Sequence, residues 1–342
     1  MPRVSVIVLN WNGKGFVEEC IYSLLNQTYW DFELLVVDNC STDSSREWLK
    51  KNVHLGYKLI ENDLNLGYAG GNNIGIRESE GEWIALVNND VCVDKRWLEE
   101  LMKVVDRDES PKDIGMLASK VIFYRARDVI DNTGHLIYGD GLNRGRGRLS
   151  KDGDGDDELK EALFPSGCAG LYKKAMLDEI GWFDERFFAY GDDADIGLRG
   201  RLLGWRCFYV SQARVYHRYS MSAGAYSPFK AYHVERNRVW VMLKTFPSSM
   251  IWKSFFYTFI RYCLQGWGAL AGRGAAGAYT RSEGKLSLVK TLFKSQRDAW
   301  KSAPLMLKER KVIWEKARLT EKEMEILLKK NRLGFWEVSL YD

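Results

Sequence analysis

Short apolar runs alternate with helical stripes in the first part of the chain. Four runs rich in β-branched and other apolar residues predict strands, over residues 4–9, 32–37, 57–61 and 83–87. Between them, apolar positions spaced by three and four predict helices, over residues 16–25, 44–52 and 70–78. This alternation predicts an α/β fold with a mostly parallel sheet, whose ligands bind at the carboxyl ends of the strands.

The pattern changes after this first part. Residues 125–161 are rich in Gly, Asp and Arg and predict a long surface excursion. Its acidic run at 152–157 predicts a solvated loop rather than a calcium site, because Asp157 and Leu163 do not fit an EF-hand. Regular structure is predicted again at residues 164–172, in a helix that stops at Gly204, in a strand at 207–210, and in helices from Tyr226 onward.

Charge is divided unevenly along the chain. Residues 1–227 carry 28 Lys and Arg against 36 Asp and Glu, a balance of −8, whereas residues 228–342 carry 22 against 10, a balance of +12. Such an asymmetry predicts that the two parts meet different partners. Six single cysteines without a CxxC pair, and an N-terminus without the pattern of a signal peptide, favour a reducing, cytoplasmic location.

Residues 250–267 predict an amphipathic helix in the basic part. Apolar positions recur at spacings of three and four: Trp252, Phe255, Phe256, Phe259, Ile260, Cys263, Leu264 and Trp267. A narrow line on another face holds Lys253, Tyr257, Arg261 and Gln265. Such a helix can lie in the interface of an anionic membrane, which the +12 balance favours. The alternative is a helix that packs its apolar face on the catalytic domain or on a second subunit. Glu321–Lys330 predicts one more surface helix.

Acidic residues occur in two places that can carry chemistry. Asp90 follows the apolar run 83–87 and therefore lies at the predicted carboxyl end of a strand. A carboxylate there can hold a divalent metal together with phosphate oxygens, although an aspartate after a strand is more often a turn residue. Asp192, Asp193 and Asp195 repel one another, which raises the pKa of at least one carboxyl and suits a general base. The alternative is a helix N-terminus whose acids stabilise the helix dipole.

Histidines are few. His217 follows a strand-like segment and is a candidate metal ligand, although a lone histidine is more often structural or exposed. His54, His135 and His233 are expected to be structural or exposed.

Six segments in order resemble the family 2 glycosyltransferases of the GT-A fold. They read VSVIVLNWNG, LLNQTYWDFELLVVDNCSTDSS, ENDLNLGYAGGNNIGI, WIALVNNDV, PSGCAGLYKKAMLDEIGWFDERFFAYGDDADIGLRGRLLGW and VYH, within residues 2–220. The resemblance implies a GT-A catalytic domain at 1–227, with a Rossmann-like mixed, mostly parallel sheet flanked by helices. Its nucleotide-sugar-binding half is expected at 1–95 and its acceptor-binding half at 96–227. The charge balance and the helical pattern add a basic amphipathic helical region at 228–342.

The resemblance also implies roles for single residues. Nucleotide-sugar binding is expected at Asn10, Asn12, Asp38, Asn39, Asn65, the Gly70–Asn73 loop with Gly70, Gly71 and Asn72, and Asn89. The acceptor and donor-sugar pocket is expected at Ser166, Gly167, Trp182, Asp184 and Asp195. Asp90 closes the family's DxD motif, here with Asn88 at its first position, and is expected to hold Mg²⁺ or Mn²⁺ with His217. Asp193 matches the general base, and Asp192 replaces the usual glutamate beside it.

These roles imply an inverting, metal-dependent glycosyltransferase. One base, one metal and no obvious protein nucleophile favour a single in-line displacement. The segments VLNWN and LGYAGGNN resemble the rhamnosyltransferase-like branch, which suggests dTDP-rhamnose as the donor. The expected acceptor is a hydroxyl of a glycan or of a polyprenyl-diphosphate-linked acceptor in cell-surface polysaccharide assembly, reached from the inner face of the cell membrane.

Other classes of function stay open at this point. A non-catalytic nucleotide-sugar-binding or scaffold subunit is the alternative, because Asn88 and Asp192 depart from the commonest motif. A nucleic-acid-binding protein would also explain the basic part, but no recognisable nucleic-acid-binding module supports it. The sequence leaves a homo-oligomer open.

Overall fold

The computed structural model of the protein describes residues 1–153, 159–218 and 226–340. The chain forms two compact units. The first comprises the described residues of Met1–His135, Gly145–Arg201 and Trp205–Ser222, and the second those of Leu136–Arg144, Leu202–Gly204 and Ala223–Asp342. Most of the predicted acidic loop at 152–157 lies outside the described residues. The predicted functions of the parts before and after residue 227 stay predictions.

A mixed sheet forms the centre of the first unit. Its strands are β1 (Val4–Asn10), β2 (Phe32–Asp38), β3 (Lys58–Glu61), β4 (Trp83–Asn88), β5 (Val91–Val93), β6 (Ile114–Phe123), β7 (Ala126–Asn132), β10 (Lys160–Ala162), β11 (Ala169–Lys173) and β12 (Arg206–His217). Along the main path the order is β10-β12-β6-β11-β4-β1-β2-β3, with β5 paired to β12 and β7 to β6. Two further short strands, β8 (His135–Ile137) and β9 (Asn143–Gly145), pair with each other.

The predicted parallel strands are confirmed. In the described chain β3, β2, β1 and β4 run parallel as neighbours, and their bounds lie within a residue of the apolar runs. All seven residues of β1 are buried, as expected for a strand at the centre of a sheet covered on both faces. The carboxyl ends of β1, β2 and β4 therefore meet at one edge.

Helices cover this sheet. They are α1 (Val17–Leu25), α2 (Ser45–Lys51), α3 (Gly67–Arg77), α4 (Trp97–Val105), α5 (Lys174–Ile180) and α6 (Asp192–Leu202), with short 3₁₀ turns at Val53–Leu55 and Glu185–Phe187. The stripe predicted for α1 is its buried face: Val17, Cys20, Ile21 and Leu24 pack in the core cluster of the sheet. Helix α3 begins three residues before its predicted start, at Gly67. Together with the C-terminal helices, this architecture confirms the predicted fold class.

The surface excursion predicted at residues 125–161 is wrong in its described part. Strands β7, β8, β9 and β10 lie there, and Ile137 and Tyr138 are buried. Strand β7 is added to the edge of β6, with register shifts in the pairing. The segment has little apolar alternation of its own, because its strands depend on distant partners rather than on a local pattern.

The second unit is helical, as predicted. Its helices are α7 (Pro228–Thr245), α8 (Ser248–Ala271), α9 (Gly274–Glu283), α10 (Lys285–Lys301), α11 (Ala303–Glu315), α12 (Glu321–Lys330) and α13 (Phe335–Leu340). Helix α12 has the predicted bounds and begins with a capping box between Thr320 and Glu323. Among the described residues, no helix is both long and apolar enough to cross a bilayer.

The predicted cationic line on α8 is not a solvent-facing line. Arg261 is fully buried, and its guanidinium bonds to Asp140 at 2.7 Å and to Glu235 at 2.6 Å. Arg238 Nε also donates to the Glu235 carboxylate, at 2.8 Å. These opposite charges compensate one another in the interior, which makes burial of an arginine tolerable. The helix therefore turns part of its cationic line inward.

Candidate active site

The carboxyl edge of the parallel strands gathers the first group of predicted residues. Register pairs Asn10 with Asp38 across β1 and β2. The Asn10 amide donates to Asp38 Oδ1 at 2.9 Å and to Ser45 Oγ at 3.1 Å, while its oxygen accepts from Asn89 Nδ2 at 2.8 Å. All four side chains are buried. The structure thus brings Asn10, Asp38 and Asn89 together as one hydrogen-bonded network, and their contact with a nucleotide stays a prediction.

Asn39 organises the start of α3. Its amide donates to Asn65 Oδ1 at 2.9 Å and to the Gly67 carbonyl at 3.0 Å. Its side-chain oxygen accepts from Asn62 Nδ2 and from the Leu66 amide, each at 3.0 Å. Asn39 and Asn65 therefore lie together, as predicted for residues of one site, and they hold the loop that enters the helix.

The predicted Gly70–Asn73 loop is part of α3 and not a loop. A side chain at Gly71 would place its Cβ 2.4 Å from Leu9 Cδ1, so the glycine allows the helix to pack closely on β1. Asn72 is buried and donates to the Tyr68 carbonyl at 2.9 Å, while a Cβ at Gly70 would meet Leu66 at 2.8 Å. These contacts explain the small residues by packing, and their role in donor binding stays a prediction.

Asn12 lies at the turn after β1. It has a φ of +52°, and its side-chain oxygen accepts from the Thr42 amide at 2.8 Å. The backbone amide of Asn12 in turn donates to Ser41 Oγ at 3.0 Å. The turns after β1 and β2 are therefore bonded to each other at the carboxyl edge of the sheet.

Strand pairing brings Asp90 and His217 together. The chain turns from β4 into β5 at Asp90, and β5 pairs with β12 so that His217 lies opposite Val91. His217 Nε2 is 3.6 Å from Asp90 Oδ2, and His217 Nδ1 is 2.8 Å from Asp131 Oδ2. Burial alone would lower the pKa of His217, but the Asp90 and Asp131 carboxylates raise it well above its usual range. The two residues predicted as metal ligands are therefore neighbours.

The side chains of Asp90 and His217 provide ligand atoms that fit a divalent metal. Asp131 accepts from Nδ1 of His217, which leaves Nε2 for a ligand on the side of Asp90. One carboxylate and one imidazole suit an ion that completes its coordination with phosphate oxygens and water. No group of three or more His, Cys, Asp and Glu suited to a metal occurs in the part of the chain that the structure describes. The protein would thus supply only part of the coordination.

The predicted base lies at the first turn of α6. Asp193 Oδ1 accepts from the Ala194 amide at 2.8 Å, and Oδ2 accepts from the Gly167 amide at 3.4 Å. His135 Nε2 is 3.6 Å from Asp193 Oδ2. Burial lowers the pKa of His135 although the Asp193 carboxylate opposes this effect. The lowered pKa keeps the imidazole of His135 neutral near pH 7.

The three acids of this turn have different surroundings. Burial and the charge of Asp193 raise the pKa of Asp192 well above its usual range, and its Oδ2 has no hydrogen-bond partner among the residues that the structure describes. Asp195 is buried and paired with Arg199 at 2.8 Å. Arg199 also donates to the carbonyls of residues 180–182. Asp195 therefore helps to hold α6 against the end of α5 through Arg199, a structural reason for an acid that the sequence assigned to the sugar pocket.

The other predicted pocket residues differ in their contacts. The Gly167 carbonyl accepts from the Tyr68 hydroxyl at 2.5 Å, and Ser166 Oγ accepts from the Cys168 amide at 3.4 Å. Trp182 Nε1 donates to Asp178 at 3.1 Å. Asp184 accepts two bonds from the Arg186 guanidinium, at 2.6 and 2.7 Å. Gly167 is thus placed at Asp193, whereas Trp182 and Asp184 are engaged with neighbours in sequence.

Three residues of the site are absent from the sequence prediction. Asp131 bonds His217, His135 lies beside Asp193, and Tyr68 bonds Gly167. Asp131 and His135 belong to the segment predicted as a surface excursion, where the apolar runs are short. His135, which was expected to be structural or exposed, lies 3.6 Å from the predicted base Asp193, and a role for it in the site stays a prediction.

Comparisons with known proteins identify the family of this chain. Residues 5–181 match the family described as Glycosyl transferase family 2. Because the match covers more than half of the chain, the protein belongs to this family.

Relatives in sequence are similar over limited parts. The O-antigen biosynthesis protein RfbC of Myxococcus xanthus is 28% identical over 233 residues, which is 66% of this chain and 18% of that protein. An uncharacterized glycosyltransferase of Haemophilus influenzae is 32% identical over 110 residues, 32% of this chain and 34% of that protein. The poly(ribitol-phosphate) beta-N-acetylglucosaminyltransferase TarS of Staphylococcus aureus is 31% identical over 114 residues, 32% of this chain and 20% of that protein. This chain spans about a third or less of each of these relatives.

Solved structures share the fold. GalNAc-T7 with UDP, GalNAc and Mn²⁺ has a TM-score of 0.60 at 16% identity, covering 75% of this chain and 50% of that chain. S. aureus TarS 1-349 in complex with UDP-GlcNAc has a TM-score of 0.55 at 18% identity, covering 97% and 93%. At these identities the likeness concerns the fold.

Proposed function

We propose that the protein is an inverting glycosyltransferase that moves a sugar from a nucleotide diphosphate donor to an acceptor hydroxyl. The observation that carries this proposal is the pairing of β5 with β12, which places His217 3.6 Å from Asp90 at the end of β4. The network of Asn10 and Asp38 lies at the neighbouring strand ends. A candidate metal site and a candidate nucleotide site thus share one sheet edge, where ligands of α/β sheets bind.

Asp193 is proposed as the general base. The acceptor hydroxyl loses its proton to Asp193 as its oxygen bonds to the anomeric carbon of the sugar, and the nucleoside diphosphate leaves with the bonding electrons. The amides of Gly167 and Ala194 bond the carboxylate and hold it in place. Burial and the nearby Asp193 carboxylate raise the pKa of Asp192, which favours the protonated form of the Asp192 carboxyl. One such displacement inverts the anomeric centre.

A divalent ion, Mg²⁺ or Mn²⁺, would be held by Asp90 and His217. When bound it would neutralise charge on the diphosphate leaving group. The contribution of this chain is to orient the two ligands, because Asp131 fixes His217 through Nδ1. Mn²⁺ in the GalNAc-T7 structure supports the choice of metal.

The substrates are proposed from the resemblances. The segments VLNWN and LGYAGGNN support dTDP-L-rhamnose as the donor, and UDP-GlcNAc is the donor to test against it, since TarS is bound to it. The names of RfbC and TarS support a role in cell-surface polysaccharide biosynthesis. The acceptor is then a glycan or a polyprenyl-diphosphate-linked glycan, reached from the cytoplasm at the inner face of the cell membrane.

A screen of nucleotide sugars tests the proposal. A ligand that binds the native state raises the thermal midpoint. We expect one nucleotide sugar to raise the thermal midpoint with Mn²⁺ present and not with EDTA. In Asp90→Asn, the rise caused by this nucleotide sugar should no longer depend on Mn²⁺. Asp108→Asn, an exposed acid after α4, is the matched control and should behave as the unmutated protein. The proposal is wrong if no nucleotide sugar stabilises the protein under either condition.

A further inference from the structure

Helix α8 is oriented with its aromatic side chains outward. The residues it buries are Ser254, Arg261 and Gly268, spaced by seven along the helix. The exposed large residues are Trp252, Phe255, Phe256, Phe259, Trp267 and Leu270. Phe256 and Phe259 are 63% and 67% exposed. A helix in a soluble protein normally has the reverse arrangement, because exposed apolar surface is unfavourable in water.

Helix α10 repeats this arrangement. It buries Ser295 and Ala299, whereas its exposed apolar residues are Leu286, Val289, Phe293 and Trp300. Phe255 of α8 stacks on Trp300 of α10, with ring centroids 5.5 Å apart. The exposed rings of the two helices therefore meet, and we call the exposed apolar residues of α8 and α10 the aromatic face. Contiguous exposed apolar surface of this kind usually marks an interaction site.

Cations accompany the aromatic face. Helix α10 carries five exposed cations, namely Lys285, Lys290, Lys294, Arg297 and Lys301, and Asp298 is its one acidic residue. Helix α8 adds the exposed Lys253 and has no acidic residue. The occupant of this surface must therefore combine an apolar interior with negative charge at its boundary.

We infer that the aromatic face docks in the interface of an anionic bilayer. The rings would enter the boundary between headgroups and acyl chains, and the lysines would stay with the anionic headgroups. A second copy of the chain fits less well, because a symmetric contact would bring two sets of like-charged lysines together. The purpose of this binding, access to a lipid-linked acceptor, rests on the proposed function. The binding to the bilayer itself needs no sugar donor.

Vesicle co-sedimentation of the full chain tests the inference. The protein should sediment with vesicles that contain phosphatidylglycerol, bind vesicles of phosphatidylcholine alone much more weakly, and lose affinity as salt is added. The double variant Phe256→Ser/Phe259→Ser should bind about tenfold more weakly for each ring removed. Lys290→Glu/Lys294→Glu should lose the preference for phosphatidylglycerol. All four side chains are exposed, so circular dichroism and the thermal midpoint should stay unchanged.

Controls separate the outcomes. Trp30→Ser removes an aromatic ring that is more exposed than Phe256 or Phe259 but lies in the first unit, and it should leave vesicle binding unchanged. Asp193→Asn should also bind vesicles normally, so failure of the proposed transferase activity would not remove this result. Equal vesicle binding by the unmutated chain and the double phenylalanine variant would contradict the inference. So would a dimer that dissociates in the phenylalanine variant while neither protein binds vesicles.

Discussion

Gly67 lies where the start of α3 packs closely against the segment before α6, and substitution of Gly67 tests this contact. It begins α3 with a φ of +71°, and a Cβ added there would lie 2.3 Å from the carbonyl oxygen of Phe188. That oxygen accepts from the amides of Tyr68 at 2.5 Å and Ala69 at 3.4 Å. The carbonyl is therefore fixed by the helix that the new methyl group would disturb.

Phe188 has little freedom to move away. Its φ of +65° and ψ of −59°, with the Ala189 amide bonded to the Phe187 carbonyl at 2.8 Å, form a classic γ-turn, a rare and strained conformation. It lies shortly before Asp192 and Asp193. A displacement of this turn is therefore expected to move the start of α6 and the proposed base.

The cost of Gly67→Ala has two parts. Left-handed φ for an alanine costs about 1–2 kcal/mol, and crowding against a fixed backbone oxygen adds about 1–3 kcal/mol. Gly56→Ala is the matched control, since its φ is +106° and no atom of the described residues lies within 4 Å of an added Cβ. Only the conformational part applies there, so the two variants should differ by about 1–3 kcal/mol.

Urea unfolding followed by tryptophan fluorescence measures both variants. We expect Gly67→Ala to lose more stability than Gly56→Ala and, unlike it, to lower the rate of sugar transfer. Equal losses of stability in the two variants would show that the Phe188 carbonyl moves away from the added methyl group at little energetic cost. The reasoning about this turn would then be refuted.

Two further predictions concern buried charges. Asp131→Asn should weaken Mn²⁺ binding about 10–100-fold, measured by calorimetry with UDP present, because His217 loses its charged partner at Nδ1; unchanged affinity would contradict this role. The pKa of Glu235 is lowered, because Arg261 and Arg238 outweigh the effect of its burial. Its stabilisation is thus complete above its ordinary pKa of 4.5 and is lost as pH falls below it. Urea titrations between about pH 3 and 6 should show Glu235→Gln with a flatter pH dependence of unfolding free energy than the unmutated protein, and parallel curves would contradict the assignment.

The central sheet could be predicted from sequence because its signal is local. The runs that form β1, β2 and β4 are apolar over nearly their whole length, as burial on both faces requires. Strands β7 to β10 could not be found this way. Their residues alternate weakly, and β7 depends on an irregular register with β6. Long-range pairing of this kind leaves no periodic pattern in the segment itself.

The candidate site was predictable to a similar extent. Asp90 comes shortly after the apolar strand β4 and His217 is the last residue of β12, and the structure places them together. Asp131 and His135 were missed because they lie in the weakly patterned segment. The helical spacing on α8 showed two faces but not which of them is buried. That choice depends on Asp140 and Glu235, which are distant in sequence from their partner Arg261.

The most direct test of the central claim is a paired measurement on Asp193→Asn. Donor binding would be followed by Mn²⁺-dependent thermal stabilisation, and sugar transfer would be measured under single-turnover conditions with the same donor. If Asp193 is the base of a glycosyltransferase, the variant binds the donor like the unmutated protein and transfers the sugar at least about a hundredfold more slowly. Transfer at the unmutated rate would contradict the account.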